Sequence, residues 1–256
     1  MIHESWIVPD WDAPPSVKAL VTTRHGGVSH APFDSLNLGD HVNDDPHAVA
    51  QNRAILRQLL PSEPMWLKQV HGIRVANADQ IVDNLEADAS VAHAKNSVCA
   101  VMTADCLPVL LCNDAGTVVG AAHAGWRGLV SGVIERSVEA MAVPPASVMA
   151  YLGPAIGPQA FEVGDEVRQV FMAHDPAAQL AFLPRGPGKW LADIYLLARQ
   201  RLNALGVTRV YGGDFCTFTD NDRFFSYRRD GATGRMAALI WMPDVQQTDA
   251  DLTHHV

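Results

Sequence analysis

The chain has 256 residues, 48% of them hydrophobic, and a formal charge of −9 at neutral pH. That length supports one sizeable core, near the upper size for a single domain, and no composition shift marks a linker, so one domain over 1–256 is expected. The acidic balance argues against a general nucleic-acid binder, which carries a basic face, and no apolar run reaches the ~18–20 residues of a membrane helix.

The first ten residues, MIHESWIVPD, lack the basic start and apolar centre of a signal peptide, so a soluble cytoplasmic protein is expected. Four cysteines, Cys99, Cys106, Cys112 and Cys216, form no C-x-x-C pair, and in a reducing compartment they stay free thiols.

In chain order, 17–23 alternates as a strand and runs into the Gly26-Gly27 turn, with an irregular loop over 31–39. A helix is predicted over 45–60: Val49, Leu56, Leu59 and Leu60 share a face, and Pro46 suits its first turn. The segment 65–71 reads as a strand ending at Gly72. Three apolar runs, 97–103, 107–112 and 117–123, read as strands buried on both faces, with a turn over 113–116 between the last two. A helix over 126–141 follows, then a strand over 148–153, a Gly/Pro loop over 154–158 and a helix over 162–171. A helix over 191–205, capped by Gly206, is the strongest pattern. Strands at 207–211 and 236–242, separated by a loop over 212–217, complete the chain. Strands and helices mix without regular alternation, and no phosphate-binding glycine motif occurs, so a layered α+β domain is expected rather than a doubly wound nucleotide fold.

Three residues at or beside predicted strand ends carry the chemistry: His71, Cys106 and His123. Two imidazoles and a thiolate without a fourth protein ligand match an open zinc site, where one position remains for water or substrate. The same residues permit a metal-free reading, with Cys106 as nucleophile, His123 as its base and Asp105 assisting. Each taken singly is also consistent with packing or a structural hydrogen bond. Cys99 and Cys112 lack polar company and read as packing. Arg24, Arg127, Arg228, Arg229 and Arg235 lie near glycines or turns, and the guanidinium fork suits phosphate or carboxylate. Arg229 reads as solvated surface. Gly125 and Gly128 offer close backbone approach to a ligand. The aromatic run FFSY (224–227) suits either a flat ring or the core.

Taken together, the segments TTRHGGVS (22–29), SLNLG (35–39), KQVHG (68–72), TADCLPV (103–109), HAGWRG (123–128), FFSYRRDG (224–231) and TGRMA (233–237) resemble the laccase-domain family over about 6–242. That family, first described as multicopper polyphenol oxidases, comprises zinc-containing purine nucleoside phosphorylases with adenosine deaminase and methylthioadenosine phosphorylase activities. The resemblance implies an α/β/β/α layered fold with mixed sheets, shared with a toxin that uses a Cys-His pair. It implies zinc ligands His71, Cys106 and His123. It also implies purine nucleosides and phosphate as substrates, with Arg24, Asn37, Gln69, Arg127 and Arg228 in the binding site. Asp105 is a candidate for proton transfer. The loop GDFCTFTD (213–220) departs from the family, with Asn221 in place of a proline, and leaves Cys216 without a role.

The oxidase label is testable from residues. Copper clusters of that kind draw on H-x-H pairs, and none of the eleven histidines forms one. His3, His30, His93, His174, His254 and His255 sit in unlike settings. Copper is therefore expected only as an adventitious metal. A Cys-His hydrolase acting on cell-wall precursors, a copper polyphenol oxidase and a binding-only module are the competing readings. A monomer or weak homodimer is expected, without nucleic-acid or membrane partners.

Overall fold

The computed structural model describes residues 2–82 and 85–244; His254 and His255 lie outside the described residues. In chain order the strands are β1 (Lys18–Val21), β2 (Pro64–Met65), β3 (Val75–Asn77), β4 (Ala89–Ala92), β5 (Val98–Thr103), β6 (Leu107–Asn113), β7 (Val119–Ala124), β8 (Val148–Leu152), β9 (Glu162–Gly164), β10 (Phe182–Gly186), β11 (Lys189–Ala192), β12 (Arg209–Gly212) and β13 (Met236–Trp241). The helices are α1 (Pro46–Arg57), α2 (Trp126–Ser131), α3 (Val133–Ala140), α4 (Asp165–His174), α5 (Ile194–Ala204) and the short α6 (Tyr227–Asp230).

Strand β5 shows why the layers form. Successive side chains point to opposite faces. Val98, Ala100 and Met102 join Leu56 of α1 and Leu239 of β13 in one core. Cys99 and Val101 face the other way, into a core with Leu110, Val119 and Met149. Strand β6 does the same one layer on: Leu110 and Cys112 meet that central core, while Val109 and Leu111 meet Ile134 of α3 and Leu197 of α5. Every residue of β5, β6, β7 and β8 is buried. The result is α1, a four-stranded sheet (β1-β13-β5-β2), a six-stranded sheet (β12-β8-β6-β7-β4-β3), then α3 and α5. This is a mixed α+β fold in four layers, as expected. The pairs β2–β5, β3–β4 and β8–β12 are parallel and their neighbours antiparallel. A small antiparallel sheet, β10-β11-β9, stands apart.

Four expectations are corrected. The helix over 126–141 breaks at Gly132, whose φ of 103° no helical residue adopts and whose N–H closes α2 on Gly128 and Leu129 carbonyls. The strand over 65–71 is only Pro64–Met65, followed by a single bridge from Lys68 to Glu86. The helix over 162–171 begins at Asp165, where Asp165 and Glu166 complement the helix N-terminus, and the residues before it form β9. The 191–205 helix starts at Ile194, because Asp193 caps it by accepting the Leu196 N–H. Strands β3, β4, β10 and β11 are additional; β4, Ala-Ser-Val-Ala, has little strand propensity of its own.

Candidate metal centre

The β6–β7 ladder builds the centre. Leu107 pairs with Ala124 and Pro108 with His123, so Cys106, just before β6, lies beside the end of β7. Asp105 makes the turn that delivers it, at φ 104°, a conformation L-residues adopt rarely. His71 arrives from a loop rather than a strand end, at φ 60°. One ligand atom each from His71, Cys106 and His123 lie within 4.8 Å of one another. Among the described residues this is the one such group of three His, Cys, Asp or Glu side chains. Cys106 Sγ is 3.6 Å from His71 Nε2, and the two imidazole rings meet edge to face, 4.8 Å between centroids.

Gly125 makes this convergence sterically possible. A Cβ there would stand 2.7 Å from His71 Cδ2 and 2.9 Å from Cys106 Sγ. Gly128 does the same for the following loop, with the Gly72 carbonyl at 2.9 Å. The two glycines therefore admit protein groups where a close ligand approach was expected.

Asp88, absent from the motif reading, organises the ligands. Its fully buried carboxylate accepts from His123 Nδ1 at 2.8 Å and from the main-chain N–H groups of Val70, His71 and Gly72 at 3.2, 2.8 and 2.6 Å. Its carbonyl accepts the His123 N–H at 2.7 Å. With Nδ1–H committed to Asp88, His123 keeps Nε2 for the thiol or a metal. Burial pushes the Asp88 carboxyl up, but the bond from His123 and the N–H groups of Gly72 and Val70 hold it below its ordinary value. Burial also works against charge on Cys106 and His123. Their mutual attraction overcomes it, aided by His71 at the thiol and Asp88 at the ring: the thiol is driven down and the imidazole up. Two nitrogens and a thiolate held this way fit a borderline-soft divalent ion such as zinc.

The centre opens on a cavity of about 480 Å³, lined also by Met102, Trp126, Ile156, Phe161, Ile194 and Tyr227. Asp105, Gln69, Arg127 and Arg228 reach it too. Asp105 is buried, which raises its carboxyl pKa despite bonds from Thr217 Oγ1 at 2.6 Å and the Arg228 N–H at 2.6 Å. Gln69 clamps both main-chain groups of Met102, at 2.8 and 2.7 Å. Arg127 lies over the Trp126 ring, and Arg228 Nη1 donates to the Glu162 carbonyl.

Two expected binding residues do not line the cavity. Arg24 spends its guanidinium on Asp34 and the Asn221 carbonyl, over the Phe225 ring. Asn37 is fully buried and bonds Gly39, Asp44 and the Arg235 N–H. Both hold loops. Phe224 and Phe225 belong to the core, leaving Tyr227 of that run at the cavity. Arg229, read as solvated surface, bonds Asp230 and the carbonyls of Thr217, Phe218 and Phe224. Cys99 and Cys112 pack in the core, where burial pushes both thiols up to about 12. Cys216 accepts the Gly157 N–H at 3.2 Å. His41 and Arg235 also line the cavity; neither stood among the expected binding residues, although the turn position of Arg235 was a signal.

A family model described as multi-copper polyphenol oxidoreductase laccase matches residues 18–243. A protein of Pseudomonas aeruginosa named purine nucleoside phosphorylase is 56% identical over 241 residues, 94% of this chain and 99% of its own length. An Escherichia coli protein of that name is 56% identical over 239 residues, 92% and 98% of the two chains. A crystal structure of a Neisseria meningitidis protein, of a family designated DUF152, superposes with a TM-score of 0.92 at 54% identity, covering 94% of this chain and all of that one. The YlmD protein of Geobacillus stearothermophilus gives 0.82 at 31% identity, covering 90% and 93%.

Proposed function

Because this chain belongs to the multi-copper polyphenol oxidoreductase laccase family, whose relatives at 56% identity are named purine nucleoside phosphorylases, we propose that it is a zinc-dependent purine nucleoside phosphorylase. It converts adenosine, inosine or methylthioadenosine and phosphate to free base and the ribose 1-phosphate, deaminates adenosine as a side activity, and works as a single domain in the cytoplasm. The observation that carries the reading is the convergence of His71, Cys106 and His123 within 4.8 Å on the wall of a 480 Å³ cavity. That volume falls within the ~300–1,000 Å³ typical of small-molecule sites.

In phosphorolysis a phosphate oxygen attacks C1′ of the ribose, the bond from C1′ to the purine nitrogen breaks, and the base leaves with the electron pair and gains a proton. His71, Cys106 and His123 would hold the zinc, which would supply Lewis acidity at the cavity wall. Phe161, Ile156 and Tyr227 give a purine an apolar surface with an aromatic face. Cationic groups of the cavity wall, Arg127 and Arg228 among them, attract phosphate. Asp105, with both oxygens bonded, supports the Arg228 main chain rather than moving a proton.

Copper oxidation is disfavoured by the ligand set: a single three-residue group among the described residues falls short of a copper cluster built on many imidazoles. The Cys-His hydrolase reading draws on the depressed thiol of Cys106 and its 3.6 Å contact with His71. The deciding experiment measures phosphate-dependent release of adenine from adenosine, with metal content determined on the same sample and on Cys106→Ala. Adenine and ribose 1-phosphate from the zinc-loaded protein, lost in the variant, support the phosphorylase. No base from any purine nucleoside sinks it. Activity that survives chelation and yields to a thiol alkylator identifies the hydrolase.

A further inference from the structure

The removal of Arg24 from the site leaves open which groups receive the anionic substrate. Arg235, immediately before β13, lines the cavity and is pinned there. Its main-chain N–H donates to Asn37 Oδ1 at 2.9 Å. Its Nη1 donates to the Thr233 and Gly234 carbonyls at 2.9 and 3.0 Å. Its stem crosses Gly39 so closely that a Cβ there would stand 2.8 Å from Arg235 Cγ. A guanidinium carries five N–H donors. Nη1 has used its two on carbonyls, and among the described residues the Nε and Nη2 donors have no protein acceptor and no carboxylate within ion-pair distance. That remaining edge is the planar fork matched to two oxygens of an oxyanion.

His41 lines the same cavity. Burial and then the Arg235 charge disfavour its protonated form, against a pull from Asp40, whose Oδ1 lies 3.4 Å from His41 Nδ1. Asp40 is exposed and shared with Arg53 at 3.3 Å, so it does not neutralise Arg235. The groups whose negative charge would act on Arg235 through space are Cys106, Asp105 and the Tyr227 hydroxyl. Cys106 belongs to the metal centre, and Asp105 is already bonded on both oxygens.

We propose that the Nε/Nη2 edge of Arg235 and the His41 ring form an oxyanion subsite that takes inorganic phosphate, with Asn37 as its positioning residue. The choice of phosphate rests on the phosphorylase reading; the subsite itself rests on the unpaired fork. Arg127, exposed and stacked on Trp126, and Arg228, bonded to the Glu162 carbonyl, then border the cavity without being the primary anchor.

The test is calorimetric titration of the zinc-loaded full chain with inorganic phosphate alone, no nucleoside present, and separately with adenosine 5′-monophosphate. Arg235→Met is expected to weaken phosphate binding at least about tenfold, since it removes a charge-assisted bidentate contact. Arg235→Lys and His41→Gln lose less, and Arg24→Ala binds as the wild type does. Asn37→Ala, which removes the acceptor of the Arg235 N–H, weakens phosphate binding at unchanged zinc content, and in the Arg235→Met background it weakens it no further, as expected of a residue that acts through Arg235. Wild-type phosphate affinity in an Arg235→Met protein of unchanged zinc content and melting temperature overturns the proposal, as does a larger loss from Arg127→Ala. A loss confined to the monophosphate overturns the assignment to inorganic phosphate. Binding is read without turnover, so a protein that binds phosphate through Arg235 yet cleaves no nucleoside retains the subsite and refutes only the phosphorylase reading.

Discussion

Asp88 Oδ1 lies 2.8 Å from His123 Nδ1, and the same carboxylate holds the His71 main chain through its N–H at 2.8 Å. One buried acid thus orients one candidate metal ligand and places the loop of another. Supports of this kind are worth about 10- to 100-fold in metal affinity. Asp88→Asn, neutral and with a single acceptor oxygen, is expected to lose about that much in competition with a chromogenic chelator. Asp88→Ala orphans three N–H groups and the imidazole, and should cost on the order of 3 kcal/mol in chemical denaturation. Unchanged zinc affinity in Asp88→Asn contradicts the role.

Gly125→Ala tests the steric argument. The Gly125 backbone, at φ −59°, accepts alanine without strain, so the fold should persist. The added methyl group meets His71 and Cys106 and spreads the ligands. Zinc affinity is expected to fall at least about tenfold, a cost of roughly 1.4 kcal/mol, with the circular dichroism spectrum unchanged. Tight zinc in Gly125→Ala refutes it.

Asp105 separates a structural from a chemical role. Replacing it with Ala removes the acceptor of the Arg228 N–H while leaving a side chain at φ 104°. A loss of about 2 kcal/mol in stability is expected. Asp105→Asn keeps an acceptor in a residue type that tolerates positive φ, and should retain most activity and stability. A folded Asp105→Asn protein with zinc bound and kcat abolished would restore proton transfer to this residue.

Thiol chemistry reads the centre without turnover. In metal-free protein the Cys106 thiol, depressed by His123 and His71 against its burial, stays partly thiolate as pH falls below the ordinary ~8.5 of a free cysteine. Cys99 and Cys112, pushed up to about 12, stay silent. Cys216 is also depressed, by hydrogen bonds from Thr219 and the Gly157 main chain that outweigh burial, so Cys216→Ser is the working background. Alkylation at pH 7 is expected to modify Cys106 first, and zinc to protect it. Equal labelling with and without zinc contradicts its place as a ligand.

Much of the centre was legible because ligand chemistry is local. A thiol and two imidazoles placed at the mouths of apolar segments mark themselves. The misplacements have equally local causes. Apolar spacing runs unbroken through Gly132 because Leu129 of α2 and Val133, Ile134 and Val138 of α3 all pack in one core, so periodicity hides the kink. Arg24 and Asn37 sit in glycine-rich turns, which marks demanding backbone, but their side chains satisfy that backbone instead of a ligand. Asp88 carries no motif, because its meaning lies in partners 16 to 18 residues before it and 35 after.

The sequence by itself determined a layered α+β domain, since runs such as β5 and β6 are apolar along nearly their whole length and such strands need cover on both faces; the order of four layers was an implication of the family resemblance. The sequence also determined the residue types available to bind a metal. Only the tertiary structure decided that His71 meets Cys106 across 35 positions of chain, that Asp88 holds both imidazole segments, and that Arg235 rather than Arg24 faces the cavity. Periodicity follows from contacts between near neighbours, whereas a site is fixed by sheet register and hydrogen bonds between distant segments, which no single stretch encodes.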